Sequence, residues 1–193
     1  MKNKLKDLSV SIRLLLLALV VFSLAYSGII GMIGQAIWSG EAEGSLVRED
    51  GKVVGSELIG QEFNGPEYFH SRPSSIGYDA LRSGSQNLGP VENSGLESRV
   101  EDDLENISNY YGFPITVPSD FVTESGSALD PHITVRSAMF QIPRVSSESN
   151  IPEEKLESLV EKYSEDKLLG IYGTKRVNVL NLNLEIYKMM EED

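Results

Sequence analysis

The chain has 193 residues, with 29 acidic side chains against 17 basic ones, no cysteine and a formal net charge of −12. That balance excludes a protein that tracks nucleic-acid phosphates, and the missing thiols exclude disulfide staples, thiolate metal sites and cysteine nucleophiles. Stability must come from a packed core.

The charge is unevenly placed. Residues 1–13 carry Lys2, Lys4, Lys6 and Arg13 against Asp7, a balance of +3, so the rest of the chain sums to −15. Leu14 to Trp38 then runs for 25 residues without Asp, Glu, Lys, Arg or His. As a helix it would extend on the order of 37 Å, against a hydrocarbon core of roughly 30 Å. A basic flank before the run and Glu41 and Glu43 after it predict a cytoplasmic N-terminus and an exterior location for everything beyond Trp38. A cleaved signal peptide shares the basic start, but its apolar region is shorter and ends in a small-x-small site, whereas this run ends in Gln35 and Trp38. Ser23, Ser27 and Gly31 recur at spacing four, with Gly28 and Gly34 alongside, so one face of the helix is small enough for close approach of a second helix.

The sequence therefore divides into a basic cytoplasmic tail, 1–13, a transmembrane helix, 14–38, and one exterior domain, 39–193. Ser45–Glu49 and Lys52–Ile59 are β-rich and meet at Asp50-Gly51, which predicts a two-residue hairpin near the membrane. Phe69–Pro90 is dense in Ser, Gly, Pro and Asn and reads as a long structured loop. Ser94-x-x-Glu97 is a capping-box sequence, followed at helical spacing by Leu96, Val100, Leu104 and Ile107. Gly112-Phe113-Pro114 stops that helix, and a short strand, Ile115–Val117, is expected after it. A helix around Thr134–Gln141 follows a second loop, and an amphipathic helix from Pro152 to about Tyr163 places Leu156, Leu159, Val160 and Tyr163 inward. Arg176–Ile186 alternates Leu180, Leu182, Leu184 and Ile186 with polar residues, which predicts a half-buried strand; Val177 and Val179 fall on the opposite parity, so either both faces are covered at its start or a bulge near Val179-Leu180 restores one face. No internal repeat is visible, and the expected class is α+β: one N-terminal transmembrane helix and a mixed helix/strand extracytoplasmic domain.

Familiar catalytic patterns are mostly missing. There is no phosphate-binding G-x-x-x-x-G-K-[ST] loop, and Asp166-Lys167 is followed by Leu-Leu, not the Thr-Gly-Thr of a P-type phosphorylation site. The two histidines, His70 and His132, are 62 positions apart and lack partners at metal-ligand spacing. Ser125-Gly126-Ser127, Asp130 and His132 include the residue types of a serine triad, but a triad is defined in space, and Ser164-x-x-Lys167 has no supporting motif. Two classes fit an anchored acidic domain without an evident active site: an accessory subunit of a membrane complex, or an exterior ligand sensor or binding module.

Specific blocks add a resemblance. Gly55-Ser56-Glu57-Leu58-Ile59-Gly60-Gln61, Tyr68-Phe69-His70-Ser71-Arg72-Pro73-Ser74 and Asn87-Leu88-Gly89-Pro90 are similar to the first half of the C subunit of the Kdp potassium-transporting ATPase. Val122 to Ile133, Gln141-Ile142-Pro143-Arg144-Val145 and Arg176 to Leu180 through Leu182-Asn183 resemble its second half, in order and spacing. Ala128 stands where that family usually shows Gly, Gln86 where it shows Ser, and Ser149 where it shows a basic residue. The resemblance implies a non-catalytic subunit of a potassium importer, assembled with a channel-like ion-translocating subunit, a P-type ATP-hydrolysing subunit and a small hydrophobic subunit. It implies that the chain stabilises the assembly and acts as a catalytic chaperone that raises the ATP affinity of the hydrolysing subunit. No tightly bound cofactor is implied, only ATP shared with that subunit. Ser125, Gly126, Ser127, Asp130, His132, Gln141 and Arg144 form the polar cluster expected to organise an interface or a nucleotide contact, with a buried hydrogen-bond network as the competing reading.

Overall fold

A computed structural model describes residues 2–82, 84, 94–111 and 116–191 of the chain. It separates into two compact units, Met1–Leu46 and Val47–Asp193.

In the first unit α1 (Lys2–Leu19), a π-helical segment (Val20–Tyr26) and α2 (Ser27–Ile37) run on without a break. The stretch Lys4–Ile37 is long and apolar enough to cross a membrane, and its most apolar portion is not buried against protein. An apolar helix so uncovered requires lipid or other helices around it. The π segment contains Ser23 and adjoins Ser27, so the spacing-four face expected from the sequence passes through a wider helical turn. A short α3 (Ser39–Ala42) follows.

The second unit opens with β1 (Leu46–Glu49) and β2 (Lys52–Ser56). Asp50 and Gly51 between them have φ of 50° and 76°, both positive as a type I′ turn requires. α4 (Ser94–Tyr111) begins where the capping sequence places it, with Glu97 in its first turn, and extends one turn past Ile107. The stop at Gly112-Phe113-Pro114 and Ile115 lie outside the described residues, as do Gln86 and the Asn87–Pro90 block. Thr116 and Val117 are not in a strand, so the expected strand there is not formed over those two residues. α5 (Ser119–Val122) leads towards a three-stranded antiparallel sheet, ordered β3 (His132–Thr134), β5 (Arg176–Asn178), β4 (Ser164–Glu165).

Three helices build the core with this sheet. α6 (Val135–Ser149) is capped by Thr134, whose hydroxyl accepts the Ser137 N–H at 3.1 Å. It runs eight residues further than the expected Gln141 end because Pro143 falls on the exposed face. The bond that proline cannot make would have gone to the carbonyl of Met139, itself an exposed residue that water can serve. Asn150 ends the helix in the left-handed conformation, φ 60°. α7 (Glu153–Lys162) buries Leu156, Leu159 and Val160 and packs along α6.

The strand expected over Arg176–Ile186 is corrected. Only Arg176–Asn178 is extended, and Val179–Glu191 is a helix, α8. Leu180, Leu182, Leu184 and Ile186 alternate, but Val179, Leu182, Asn183 and Ile186 recur at helical spacing, and these four are buried. The two periods overlap in this stretch, and the buried polar Asn183 conceals the helical one. Phe69, from the irregular segment before α4, is fully buried against α6, α7 and α8 residues of the same core.

Candidate functional site

The polar side chains of the second unit form two distinct arrangements. One holds an irregular segment inward. Asn183 accepts the Phe69 N–H through Oδ1 and donates Nδ2–H to the Phe69 carbonyl, both at 2.8 Å. Gln141 treats the next residue the same way, accepting the His70 N–H at 2.7 Å and donating to its carbonyl at 3.1 Å. Two side-chain amides from α8 and α6 thus stand in for the neighbouring strand that this backbone lacks. Arg144, one turn after Gln141, donates to Gln141 Oε1 at 2.7 Å and to the Pro66 carbonyl. His70 Nε2 lies 3.2 Å from the Gly65 carbonyl, which the neutral ring can satisfy as a donor. Burial and the Arg144 charge hold the His70 pKa below its ordinary value, outweighing the Gly65 bond and Glu67.

The other arrangement lines a cavity of about 460 Å³ bordered by residues of β3, β4 and β5. Its lining includes Arg72, Asp130, His132, Glu165, Asp166 and Arg176. Arg72 donates to the Thr123 and Glu124 carbonyls at 3.2 and 2.8 Å and pairs with Asp130 at 3.4 Å. The Tyr78 hydroxyl donates back to the Arg72 carbonyl, and burial and then the Glu62 charge push that phenol's pKa up to about 12. Asp130 Oδ1 accepts the His132 N–H at 3.0 Å and lies 3.4 Å from His132 Nδ1. Burial alone would raise the Asp130 pKa, but the His132 hydrogen bonds and the nearby Arg72 charge overcome it and hold the carboxyl below its ordinary value. His132 Nε2 lies 3.8 Å from Glu165, which pairs with Arg176 at 3.0 Å.

Local backbone chemistry presents Asp130 and His132 at this place. Ser125 and Ser127 shape the preceding turn: the Ala128 N–H donates to the Ser125 carbonyl and the Leu129 N–H to Ser127 Oγ, both at 3.2 Å. Ala128 sits at φ 58°, a conformation suited to glycine, which accounts for the residue usual there in the resembling family. Gly60 donates to the Leu129 carbonyl at 2.7 Å, and a Cβ at Gly60 would stand 2.7 Å from the Asp130 carbonyl oxygen. Only glycine admits this approach. Asp120 receives the Thr134 N–H and the Thr134 and Ser137 hydroxyls, and so ties α5 to the start of α6.

The seven expected residues are therefore divided. Asp130 and His132 line the cavity, Ser125 is buried in the turn beside it with Gly126 and Ser127 exposed, and Gln141 and Arg144 hold residues 66–70. The His132 ring nitrogens lie 3.4 Å from Asp130 and 3.8 Å from Glu165, and neither is hydrogen-bonded to a serine among the described residues, as a triad would need. Among the described residues no group of three or more His, Cys, Asp or Glu side chains is placed to hold a metal ion. Sequence reasoning missed Asn183 and Glu165 as members of these networks. Asn183 could have been found from the buried helical spacing it shares with Val179 and Ile186, whereas nothing local marks Glu165.

The family model described as "KdpC: K+-transporting ATPase, c chain" matches residues 8–188. A "Potassium-transporting ATPase KdpC subunit" from Bacillus mycoides (strain KBAB4) is 45% identical over 194 residues, covering 99% of this chain and 100% of the relative. Proteins of the same name from Bacillus cereus (strain Q1) and Bacillus thuringiensis subsp. konkukian (strain 97-27) match with the same identity and coverage.

Proposed function

The chain belongs to the KdpC family of K+-transporting ATPase c chains, and from that premise we propose that it is the non-catalytic subunit of an ATP-driven potassium import complex. It is anchored by the single N-terminal helix with residues 39–193 outside the membrane, and it joins the channel-like, ATP-hydrolysing and small hydrophobic subunits. There it stabilises the assembly and raises the ATP affinity of the P-type subunit. The observation that carries this reading is that one family match spans both the apolar helix and the folded unit, so the whole architecture is shared and not one piece of it.

The two polar arrangements support an indirect effect on nucleotide affinity. Gln141 bonds the His70 backbone on both sides, and Arg144 donates to the Pro66 carbonyl and to Gln141 itself. The cavity is lined by four carboxylates, Asp120, Asp130, Glu165 and Asp166, against the guanidiniums of Arg72 and Arg176, a poor receptor for a polyphosphate. A domain that binds one conformation of its complex better than another changes ligand affinity elsewhere without touching the ligand.

The test is purification of the tagged full-length chain from its native membrane in mild detergent, with mass identification and K+-stimulated ATPase assay. Recovery of a P-type ATPase whose apparent ATP affinity falls when this subunit is stripped supports the reading. Recovery of the chain alone, without ATPase, favours the sensor reading, with the 460 Å³ cavity as its binding site. Orientation is tested separately by Leu81→Cys, at a residue 96% exposed in a chain without other thiols. Labelling of intact cells by an impermeant thiol reagent is expected, and labelling only after permeabilisation overturns the exterior placement.

A further inference from the structure

The turn between β4 and β5 exposes apolar side chains at a density found nowhere else in the described part of the second unit. Leu168, Leu169, Ile171 and Tyr172 are 70, 82, 75 and 67% exposed. Other exposed large apolar residues of that unit occur singly or in adjacent pairs, as soluble surfaces ordinarily show. The turn is held by its own backbone: Leu168 and Tyr172 exchange N–H···O bonds at 2.9 and 3.0 Å, and Gly170 donates to the Lys167 carbonyl at 2.9 Å. Leu169 adopts φ 55°, a left-handed conformation costly for a leucine, and the side chain it carries is the most exposed of the four.

Leu168 and Tyr172 also line the 460 Å³ cavity, so the apolar tip and the charged recess form one continuous surface. Within the recess Asp130 pairs with Arg72, Glu165 with Arg176, and Asp120 accepts from Thr134 and Ser137. Asp166 is the one lining carboxylate with no ion pair or hydrogen bond among the described residues. An apolar centre with an aromatic, rimmed by arginines and carboxylates, has the make-up of a protein–protein contact. A lipid surface fits it poorly, because sinking the tip into a bilayer would draw the adjoining carboxylates and guanidiniums out of water.

Resting on the subunit reading above, we infer that residues 168–172 and the adjoining recess are the docking surface for an integral membrane subunit of the transport complex. That subunit offers an apolar recess for Leu169 and Ile171 and a lysine or arginine for Asp166.

The experiment uses the full chain in its native membrane. Leu169→Cys supplies its sole thiol, which is loaded with a thiol-directed benzophenone and illuminated. The expected product is a light-dependent adduct to a membrane-embedded protein subunit, and Asp166→Lys in the same background lowers its yield several-fold. Adducts to lipid alone overturn the proposal, and an unchanged yield with Asp166→Lys overturns its ionic half. In parallel, the double variant Leu169→Ser with Ile171→Ser is expected to lower partner recovery in mild detergent by about tenfold or more. Undiminished recovery refutes the surface. Failure of the wild-type chain to recover any ATPase refutes the subunit reading itself, so the two failures are distinguishable.

Discussion

Residues 66–72 and residues 166–175 are both irregular segments beside the same small sheet, yet they are built on opposite plans. The first gives its backbone to the protein interior: Asn183 and Gln141 satisfy Phe69 and His70 on both sides, Arg144 takes the Pro66 carbonyl, and Phe69 is fully buried. The second closes its hydrogen bonds on itself and turns four large apolar side chains to solvent. A segment that depends on distant side chains is part of the core's construction. One that is self-sufficient and apolar outward is shaped for something outside the chain.

The largest expected effect breaks the first plan. Asn183→Ala strands the N–H and carbonyl of Phe69 in a site where Asn183 itself is only 2% exposed. The expected cost is about 3 kcal/mol, read as a fall in the melting temperature of the full-length chain in detergent of roughly 6–12 °C. A fall within error of zero would mean that residues 66–70 are not held from α8. Gly60→Ala comes next, because its Cβ would press on the Asp130 backbone rather than on a movable side chain. A loss of about 2 kcal/mol is expected from the same melt. The cavity's Asp130–His132 geometry would shift with it.

Acid acts on the two arrangements with the same sign but in different windows. The folded state holds His70 below its ordinary pKa of 6.5, through burial and then Arg144, so the unfolded chain binds the more protons in the window just below 6.5. Stability from His70 is thus complete above that value and lost as pH falls through the window. Asp130 is held below its ordinary 3.8, and its contribution is lost only at still lower pH. Melts of the full-length chain from about pH 7.5 to about pH 5 should show a decline that His70→Gln flattens. A decline unchanged by that variant would remove His70 as its source.

Much of this was legible in the sequence where one local pattern had one solution. Asp50-Gly51 forces a hairpin through two positive φ angles, and Leu156, Leu159 and Val160 have no reading except an inward helix face. The apolar run from Leu14 stands out by composition alone. α8 was illegible because its leucines alternate while its buried set includes an asparagine, and the reason for that asparagine lies 114 residues away at Phe69. Likewise nothing local shows that α6 can run past Pro143, which depends on that position turning to solvent. Of the polar cluster, Asp130 and His132 share a turn and were bound to be neighbours, but their link through Glu165 to Arg176 depends on strand pairing that no local signal encodes.

The smallest expected effect is also the one that sharpens the comparison most. Replacing Leu169 and Ile171 by serine removes two of the most exposed apolar side chains in the second unit without touching a buried contact or the backbone bonds of the turn. Substitutions at such positions change stability by within about 0.5 kcal/mol, so the melt of the double variant should overlay that of the wild type. Asn183→Ala and this double variant thus make a matched pair. The first loses folding because its polar atoms face inward, while the second keeps folding and loses only what binds from outside. A melt of the double variant depressed as far as that of Asn183→Ala would place the turn inside the core's construction after all. Coincident melts with lowered partner recovery would leave docking as the reason a leucine is kept at a positive φ in full view of solvent.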